Sequence, residues 1–201
     1  MSQTYDPTAF MHNADTHSGV TNAKLGVWLF LASEIMLFAT LFTSYIVLRL
    51  GSTSWPWGWD VLNVPLATLN TVLLITSSVT IVMAYAKAYD GDKSGFQKWM
   101  AATILLSFGF LVVKGFEYGH EFALGIGPHT SVFYAIYFTM TGLHGIHILG
   151  GIALNGGLLY MSSVDEHWKN PLFLGRVEGA GLYWHFVDIV WIFLFPALYL
   201  L

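Results

Sequence analysis

Ionisable side chains stand inside long apolar runs of this sequence, where each one is costly to place in a membrane. Glu34 is the only charged residue between Lys24 and Arg49. A helix rising about 1.5 Å per residue would place its carboxyl roughly 15 Å from the helix start. At that depth the carboxyl must be neutral, or must face a cation or water. Glu34 is therefore a candidate proton-linked or lipid-contacting group, or an acid that is hydrogen-bonded between helices.

Two histidines, His144 and His147, are spaced three residues apart and so lie on neighbouring positions of one helix face. Imidazole binds haem iron and copper. A haem with two axial histidines needs them on opposite sides of its ring, so these two would require further partners such as His185. The alternative is that they hydrogen-bond to neighbouring helices, which the small residues around them allow to approach closely.

The same spacing relates His185 and Asp188, which are flanked by Trp184 and Trp191. An aspartate near a histidine can fix its tautomer and support its charge. The pair is a candidate for indirect support of a ligand, for a proton relay, or for a clasp between helices.

A third group, Lys114 and Glu117, lies where we expect the third long helix to end. Lys114 can pair with Glu117 along one helix face, and Glu121 extends that face. We expect a salt bridge at the end of this helix, where the helix reaches the headgroups or a partner subunit.

Several classes of function are excluded by composition and motifs. The chain contains no cysteine, so it has no disulfide, thiolate metal site or attached c-type haem. Its formal net charge of -4 leaves no basic stripe for nucleic acid. The glycine-rich phosphate loops, the hydrolase elbow and the zinc-protease motif are all missing from the sequence.

These residues belong to a chain that is 55% hydrophobic and only 10% charged, which is typical of a membrane protein. Backbone N–H and C=O groups in hydrocarbon must bond to each other, which only helices or a closed barrel achieve. Runs of about 20 apolar residues favour helices. We predict an all-α bundle of five transmembrane helices forming one domain over residues 24–201, after a polar tail at residues 1–23. The predicted helices cover about 25–48, 65–86, 96–118, 132–161 and 179–201.

The distribution of Lys and Arg predicts the orientation of the bundle. Six basic residues fall on the side of the N-terminus: Lys24, Lys87, Lys93, Lys98, Lys169 and Arg176. Only Arg49 and Lys114 fall on the other side. We therefore expect a cytoplasmic N-terminus and a C-terminus outside, with Trp55, Trp57 and Trp59 in the outer membrane interface.

Four motifs resemble those of subunit III of the haem-copper terminal oxidases. The most specific is the string YWHFVDIVW at residues 183–191, which is similar to the signature of that family's last helix. Residues 141–147 (TGLHGIH) resemble the family's T-G-x-H-G-x-H motif, and Ser33-Glu34 resembles its buried S-E motif. Glu117-Tyr118 is also similar to the family pattern, and all four occur in the family's order.

The resemblance implies a non-catalytic subunit of a proton-pumping oxygen reductase, with haems and copper on partner subunits I and II and none on this chain. It implies packing on subunit I, bound phospholipid, and support of proton uptake and of stability during turnover. Glu34 would lie at the internal lipid contacts. The other polar residues would be structural or lie at subunit contacts: His144, His147, Trp184, His185, Asp188, Trp191 and Glu117.

The chain departs from longer family members, which have two more helices before the S-E helix. The short five-helix form is familiar among bacterial oxidases, which implies the bacterial cytoplasmic membrane. One wall of the lipid-holding cleft would then be missing. Longer forms also place a basic residue near the end of the penultimate helix, where this chain has Tyr160, Met161 and Ser162.

Alternative functions remain at this point. The electron donor would be cytochrome c or, in a quinol oxidase, quinol, and the motifs favour cytochrome c. A haem-b membrane anchor would use His144, His147 and His185, and would show an intense Soret band. A proton-coupled transporter centred on Glu34 is disfavoured because the five helices show no inverted repeat.

Overall fold

The computed structural model describes residues 22–170 and 172–201, and every regular element among them is a helix. In chain order these are α1 (Asn22–Gly51), α2 (Gly58–Val61), α3 (Val64–Tyr89), α4 (Lys93–Ala123), α5 (Val132–Ser163), α6 (Asp165–Trp168) and α7 (Leu172–Phe195), followed by a π turn (Pro196–Leu200). Within this part of the chain, five helices are long and apolar enough to cross a membrane. The predicted all-α class with five spanning helices is confirmed. The predicted polar tail lies outside the described residues, apart from Asn22 and Ala23 at the start of α1.

The observed helices extend beyond the apolar runs that predicted them. The largest difference is at α7, which begins at Leu172 rather than at Gly179. Its first turns can contain charges because Glu178 pairs with Lys24 of α1, with Nζ and Oε1 2.7 Å apart. Hydropathy alone makes a helix too short where the charged residues at its terminus have partners.

Residues with short polar side chains cap the N-termini of three of the long helices. Asn63 accepts a hydrogen bond from the Leu66 N–H, Asp92 from the Gly95 N–H and Ser131 from the Tyr134 N–H. Each side chain satisfies a backbone donor that has no partner within its helix. Gly91 and Gly125, which follow α3 and α4, both have a φ of 75°, a backbone conformation that glycine adopts without strain.

Four helices form the centre of the bundle, and α1 lies at its edge. The most extensive contacts are those of α3 with α4, followed by those of α7 with α3 and of α5 with α4 and α7. Within the most apolar part of each helix, 50% of α5 is buried but only 11% of α1. Most of the α1 surface is therefore left to lipid or to another chain.

Alternating directions bring the starts of α1 and α7 to one end of the bundle, here called the Lys24 end. The opposite end, here called the Arg49 end, holds the π turn. There the Arg49 guanidinium donates to the Leu201 carbonyl at 2.9 Å, and the Tyr45 hydroxyl donates to the Ala197 carbonyl. These bonds attach α1 to the C-terminal residues at the Arg49 end, and the Lys24–Glu178 pair attaches α1 to α7 at the other end.

The connections at the Lys24 end are held by exposed charges. Lys93 Nζ lies 2.6 Å from Asp165 Oδ1, and the hydrogen bond and charge of Lys93 lower the pKa of Asp165. The pKa of Asp92 is lowered chiefly by its hydrogen bond from the Gly95 N–H. Both carboxyl groups thus favour the ionised form at neutral pH.

A close approach of α5 to α7 depends on Gly151. A Cβ added at Gly151 would lie 2.4 Å from a ring carbon of Trp184, whereas one added at Gly145 would meet nothing within 4 Å. The Trp184 indole fills the space that a side chain on α5 would otherwise occupy.

Replacing Gly151 with Ala should destabilise the folded bundle by about 1–3 kcal/mol, because the added methyl overpacks the contact with Trp184. Gly145→Ala is the matched control and should cost nothing. Unfolding in mixed detergent micelles, followed by circular dichroism, measures both variants. Equal stability of the two would contradict this packing.

The lowered pKa of Asp165 should depend on Lys93. A carboxyl whose folded pKa is depressed contributes stability above its unfolded pKa and loses that contribution as the pH falls through the folded pKa. The contact should therefore be intact at neutral pH and open only below the ordinary pKa of 3.8. In Lys93→Met, the NMR titration of the Asp165 carboxyl should move up toward that ordinary value; an unchanged titration would refute the link.

Candidate functional site

The structure joins Glu34 of α1 to His147 of α5, two residues that the sequence analysis treated separately. Glu34 Oε2 lies 2.9 Å from His147 Nε2, and the two side chains are only 15% and 11% exposed. The other ring nitrogen, His147 Nδ1, lies 2.8 Å from the Leu143 carbonyl of its own helix. Because that carbonyl can only accept, it selects the Nδ1–H form. In that form His147 Nε2 can accept a hydrogen bond from a protonated Glu34. If Nε2 carries a proton as well, it can donate to an ionised Glu34.

Aromatic rings enclose this pair. The Phe38 ring lies 5.1 Å from the His147 ring, and the Tyr183 hydroxyl of α7 donates to the His147 carbonyl at 2.9 Å. Phe30, one turn before Glu34, lies 6.0 Å from the Tyr183 ring. The pair therefore links α1 to α5 and, through Tyr183, to α7, in a largely apolar setting.

His144 lies in a different environment from His147. Its ring is fully buried, stacks on Trp191 at 5.2 Å and meets the edge of Phe110 at 5.8 Å. Neither ring nitrogen has a hydrogen-bond partner among the described residues. The two imidazoles thus do not converge on one site. Across residues 22–170 and 172–201, no three or more His, Asp or Glu side chains are placed to hold a metal ion.

Hydrogen bonds along α7 clasp it to α3. Trp184 Nε1 donates to Ser77 Oγ and Trp191 Nε1 donates to Thr71 Oγ1, each at 3.0 Å. Between them His185 Nδ1 lies 2.7 Å from Ser78 Oγ. Of the three roles considered for His185, the geometry is that of a clasp between helices.

Asp188 does not pair with His185, although the spacing suggested it. The Asp188 side chain is buried, with 5% exposure, and neither carboxyl oxygen has a hydrogen bond to a described residue. The Ser78 hydroxyl lies close enough to interact with the Asp188 carboxyl, and it also bonds to His185 Nδ1.

The salt bridge expected near the end of the third long helix forms, but it lies inside the bundle. Lys114 and Glu117 do pair, with Nζ and Oε2 3.0 Å apart, but their side chains are only 6% and 2% exposed. The helix continues to Ala123, which leaves the pair inside the bundle. The sequence analysis expected the pair to face the headgroups because it ended this helix five residues too early.

Two tyrosines complete the cluster around Lys114 and Glu117. The Tyr137 and Tyr199 hydroxyls donate to Glu117 Oε1 at 2.9 and 2.7 Å, and Lys114 Nζ also contacts both hydroxyls. Tyr199 reaches this position because the π turn that starts at Pro196 carries it back into the bundle. The sequence analysis missed both tyrosines, since nothing in their local spacing marks them.

The rings of four aromatic residues surround the Lys114 ammonium group at 4.9 to 5.5 Å from their centroids: Tyr118, Tyr137, Trp191 and Tyr199. Ring faces and a carboxylate together replace the water that the ammonium group loses on burial. This cluster ties α4, α5 and the π turn together at the Arg49 end.

A groove of about 750 Å³ opens at the Lys24 end between α1, α5 and α7. Its walls are mostly apolar, with Val27 and Phe30 on one side and Gly157 and Leu154 on the other. Lys24, Arg176 and Glu178 line its charged part, and Tyr183, which bonds to the His147 carbonyl, also lines it. The groove therefore runs from charged groups toward the Glu34–His147 pair.

Comparison with known proteins assigns the chain. The family model described as cytochrome c oxidase subunit III matches residues 7–201. The chain belongs to the cytochrome c oxidase subunit III family. It is thus a multi-pass membrane protein and subunit III of a haem-copper oxidase, of the cytochrome c or the quinol type, within a complex of other oxidase subunits. The family suggested by the four motifs is confirmed.

Relatives in the subunit III family carry both kinds of name. The chain is 35% identical over 185 residues to a cytochrome bo(3) ubiquinol oxidase subunit 3 of Pseudomonas putida, covering 92% of this chain and 88% of that protein. It is 36% identical over 203 residues to a cytochrome c oxidase subunit 3 of Synechocystis, covering 100% and 84%. A Corynebacterium diphtheriae cytochrome c oxidase subunit 3 is 37% identical over 179 residues, covering 88% and 86%.

The Lys114–Glu117 pair should show strong coupling in a double-mutant cycle. Lys114→Met leaves a buried carboxylate, and Glu117→Gln leaves a buried ammonium group, so each single change should cost about 3 kcal/mol or more of unfolding free energy. The double variant should cost clearly less than the sum of the two. Unfolding in mixed micelles measures all four proteins, and additive costs would show that the pair is not coupled.

Proposed function

We propose that this chain is the non-catalytic subunit III of a bacterial cytochrome c oxidase, which packs on subunit I and holds phospholipid against it. In this role it supports proton uptake into subunit I and protects the enzyme during turnover. The observation that carries the proposal is the groove between α1, α5 and α7, whose charged part and apolar walls suit one lipid molecule. Haems and copper belong to the partner subunits in this proposal, and this chain supplies none of their ligands.

The chemistry of the groove matches the two parts of a phospholipid. Arg176 is exposed at the groove, and its guanidinium can bind a phosphate with two parallel hydrogen bonds. Lys24 lines the same groove and is paired with Glu178. An acyl chain can then lie along Val27, Phe30 and the side-chain-free Gly157. Arg176 would supply the positive charge that longer family members place near the end of the penultimate helix.

Glu34 is the proposed lipid-linked or proton-linked residue. It lies one helical turn beyond Phe30, and Tyr183 of the groove bonds to its partner His147. A lipid chain in the groove would shield the Glu34–His147 pair from water and from competing hydrogen-bond partners. Loss of the acid would loosen α1, which has few other contacts with the bundle, and would weaken lipid retention.

Cytochrome c is the proposed electron donor, as the motifs favour. The alternative is a quinol oxidase, and relatives named as ubiquinol oxidase subunits give that alternative its support. The donor site lies on other subunits, so their identity decides between the two. A copurifying subunit II with a copper-binding domain would establish cytochrome c as the donor.

We place the chain in the bacterial cytoplasmic membrane with the Lys24 end facing the cytoplasm. Six Lys and Arg residues of the described chain lie toward that end. At the other end Lys114 is buried, and Arg49 is the partly exposed basic residue that the positive-inside rule counts there. Single cysteines at Lys98 and Asp60, labelled from either side of intact cells, would test this orientation.

Gentle purification of this chain should recover haem-bearing subunits with it. In that complex, Arg176→Gln should reduce the amount of tightly bound phospholipid found by mass spectrometry, because it removes the proposed phosphate contact. Lys98→Gln, a basic residue outside the groove, is the control. A stable chain without haem-bearing partners would refute the proposed role, and unchanged lipid in Arg176→Gln would refute the lipid site.

Glu34→Ala should shorten the period over which the oxidase sustains oxygen consumption, with a smaller effect on the initial rate. Oxygen-electrode traces taken until activity is lost measure both quantities. Glu166→Ala removes an exposed carboxyl from the α6 segment and should behave like the unaltered enzyme. If Glu34→Ala and Glu166→Ala decay equally slowly, Glu34 has no part in turnover stability.

A further inference from the structure

A histidine faces outward near the middle of the spanning region. His185 is the fourteenth residue of the span Leu172–Leu200, and Ser78 is the fifteenth of Val64–Tyr89. Both are partly exposed at the surface between α3 and α7. His185 Nδ1 is hydrogen-bonded to the Ser78 hydroxyl. His185 Nε2 has no hydrogen-bond partner among the described residues. An imidazole nitrogen directed at hydrocarbon loses a hydrogen bond that water or protein would supply.

The surface around His185 is otherwise apolar. On α7 the same face carries Ile189 and Ile192, which are 52% and 47% exposed. On α3, Val79 and Val82 flank Ser78 and are 59% and 50% exposed. The face is therefore an apolar strip with the His185–Ser78 pair at its centre.

Polar residues on the outer surface of α1 differ from His185 because their hydrogen bonds are made within their own helix. Thr40, Thr43 and Ser44 each donate to the backbone carbonyl four residues earlier, at 2.8 to 2.9 Å. Their hydroxyl hydrogens are satisfied without a neighbour, so hydrocarbon can cover them. His185 Nε2 has no such local partner, so the same covering would be costly.

Asp188 is a further polar group beside this face, but a neighbouring chain cannot reach it. Its carboxyl group is more than nine-tenths buried beside Ser78, and both oxygens are without hydrogen bonds to the described residues. Most other polar groups singled out in the sequence have partners inside the chain: Glu34 with His147, Glu117 with Lys114, and Trp184 and Trp191 with α3. His144 is fully enclosed, so no partner subunit can reach it. The unmet hydrogen-bonding capacity that a neighbour can reach is thus at His185.

We propose that the α3–α7 face centred on His185 is where a transmembrane helix of a neighbouring oxidase subunit docks, presenting a Ser or Thr hydroxyl to His185 Nε2. A hydroxyl suits this position because it can donate to Nε2 or accept from it, whichever tautomer the bond with Ser78 selects. The branched side chains on both sides of His185 then pack against the apolar surface of that helix. This inference rests on the proposed packing against other oxidase subunits, and it names the face and the side-chain chemistry of that packing.

Site-specific photo-cross-linking in the intact oxidase tests the face. A benzophenone side chain at Ile189 should cross-link this chain to another subunit of the complex. The same group at Leu105, which is 72% exposed on α4, is the comparison for an apolar surface without a polar centre. A cross-link from Ile189 supports the docking face whatever Leu105 does. No cross-link from Ile189, in a complex that still copurifies with haem-bearing subunits, overturns the inference and leaves the proposed function standing.

Paired substitutions test the hydrogen bond itself. His185→Ala should reduce the Ile189 cross-link, and the fraction of this chain retained after a detergent wash, by about threefold or more, as expected for one interhelical hydrogen bond. Ser78→Ala removes only the clasp within the chain and leaves Nε2 in place, so it should retain more of both. If both variants lose the cross-link and the retained fraction equally, His185 acts only through its bond to Ser78. If neither variant loses them, His185 does not bind the neighbouring helix. Failure of the unaltered chain to copurify with haem-bearing subunits would instead overturn the proposed function.

Discussion

The constraint on which this structure depends is that hydrocarbon supplies no hydrogen bonds, so each polar group within the spanning region needs a partner from the protein. The bundle meets this constraint mainly with contacts between helices. The Lys114 ammonium group is the most demanding case, because a full charge is buried with 5% exposure. Its contacts with Glu117, two tyrosine hydroxyls and four aromatic rings explain why α4, α5 and the π turn meet where they do.

The same constraint explains the uneven attachment of the helices. Indole and imidazole groups of α7 hold it to α3 by hydrogen bonds to Ser and Thr hydroxyls. α1 buries less of its surface and is attached through four separated polar contacts: Lys24 with Glu178, Glu34 with His147, and Tyr45 and Arg49 with the end of the chain. A helix held at its ends and near its middle leaves space beside it, and that space is the proposed lipid groove. Proposed function and observed packing therefore follow from one physical cause.

The sequence was sufficient to predict the helical class, the number of spans and the residues that carry unusual polarity. Apolar runs determine a span because the membrane sets its length, and motif spacing identified the family that the comparisons confirm. It was not sufficient to pair Glu34 with His147, since 113 residues separate them and pairing depends on how α1 lies on α5. Nor could the sequence predict that Lys114 is buried, because a charged residue near a predicted helix end is ordinarily exposed. Tyr137 and Tyr199 carry no local signal, and only the three-dimensional arrangement reveals their role.

The central claim is that the costly acid and imidazoles of this chain serve contacts between helices, with lipid and with neighbouring subunits, and hold no redox centre. A high-resolution electron cryo-microscopy map of the complete oxidase tests this most directly. The account predicts phospholipid density in the groove with its phosphate at Arg176, a neighbouring helix over His185, and side-chain density joining Glu34 to His147. Haem or copper ligated by His144, His147 or His185 would contradict it.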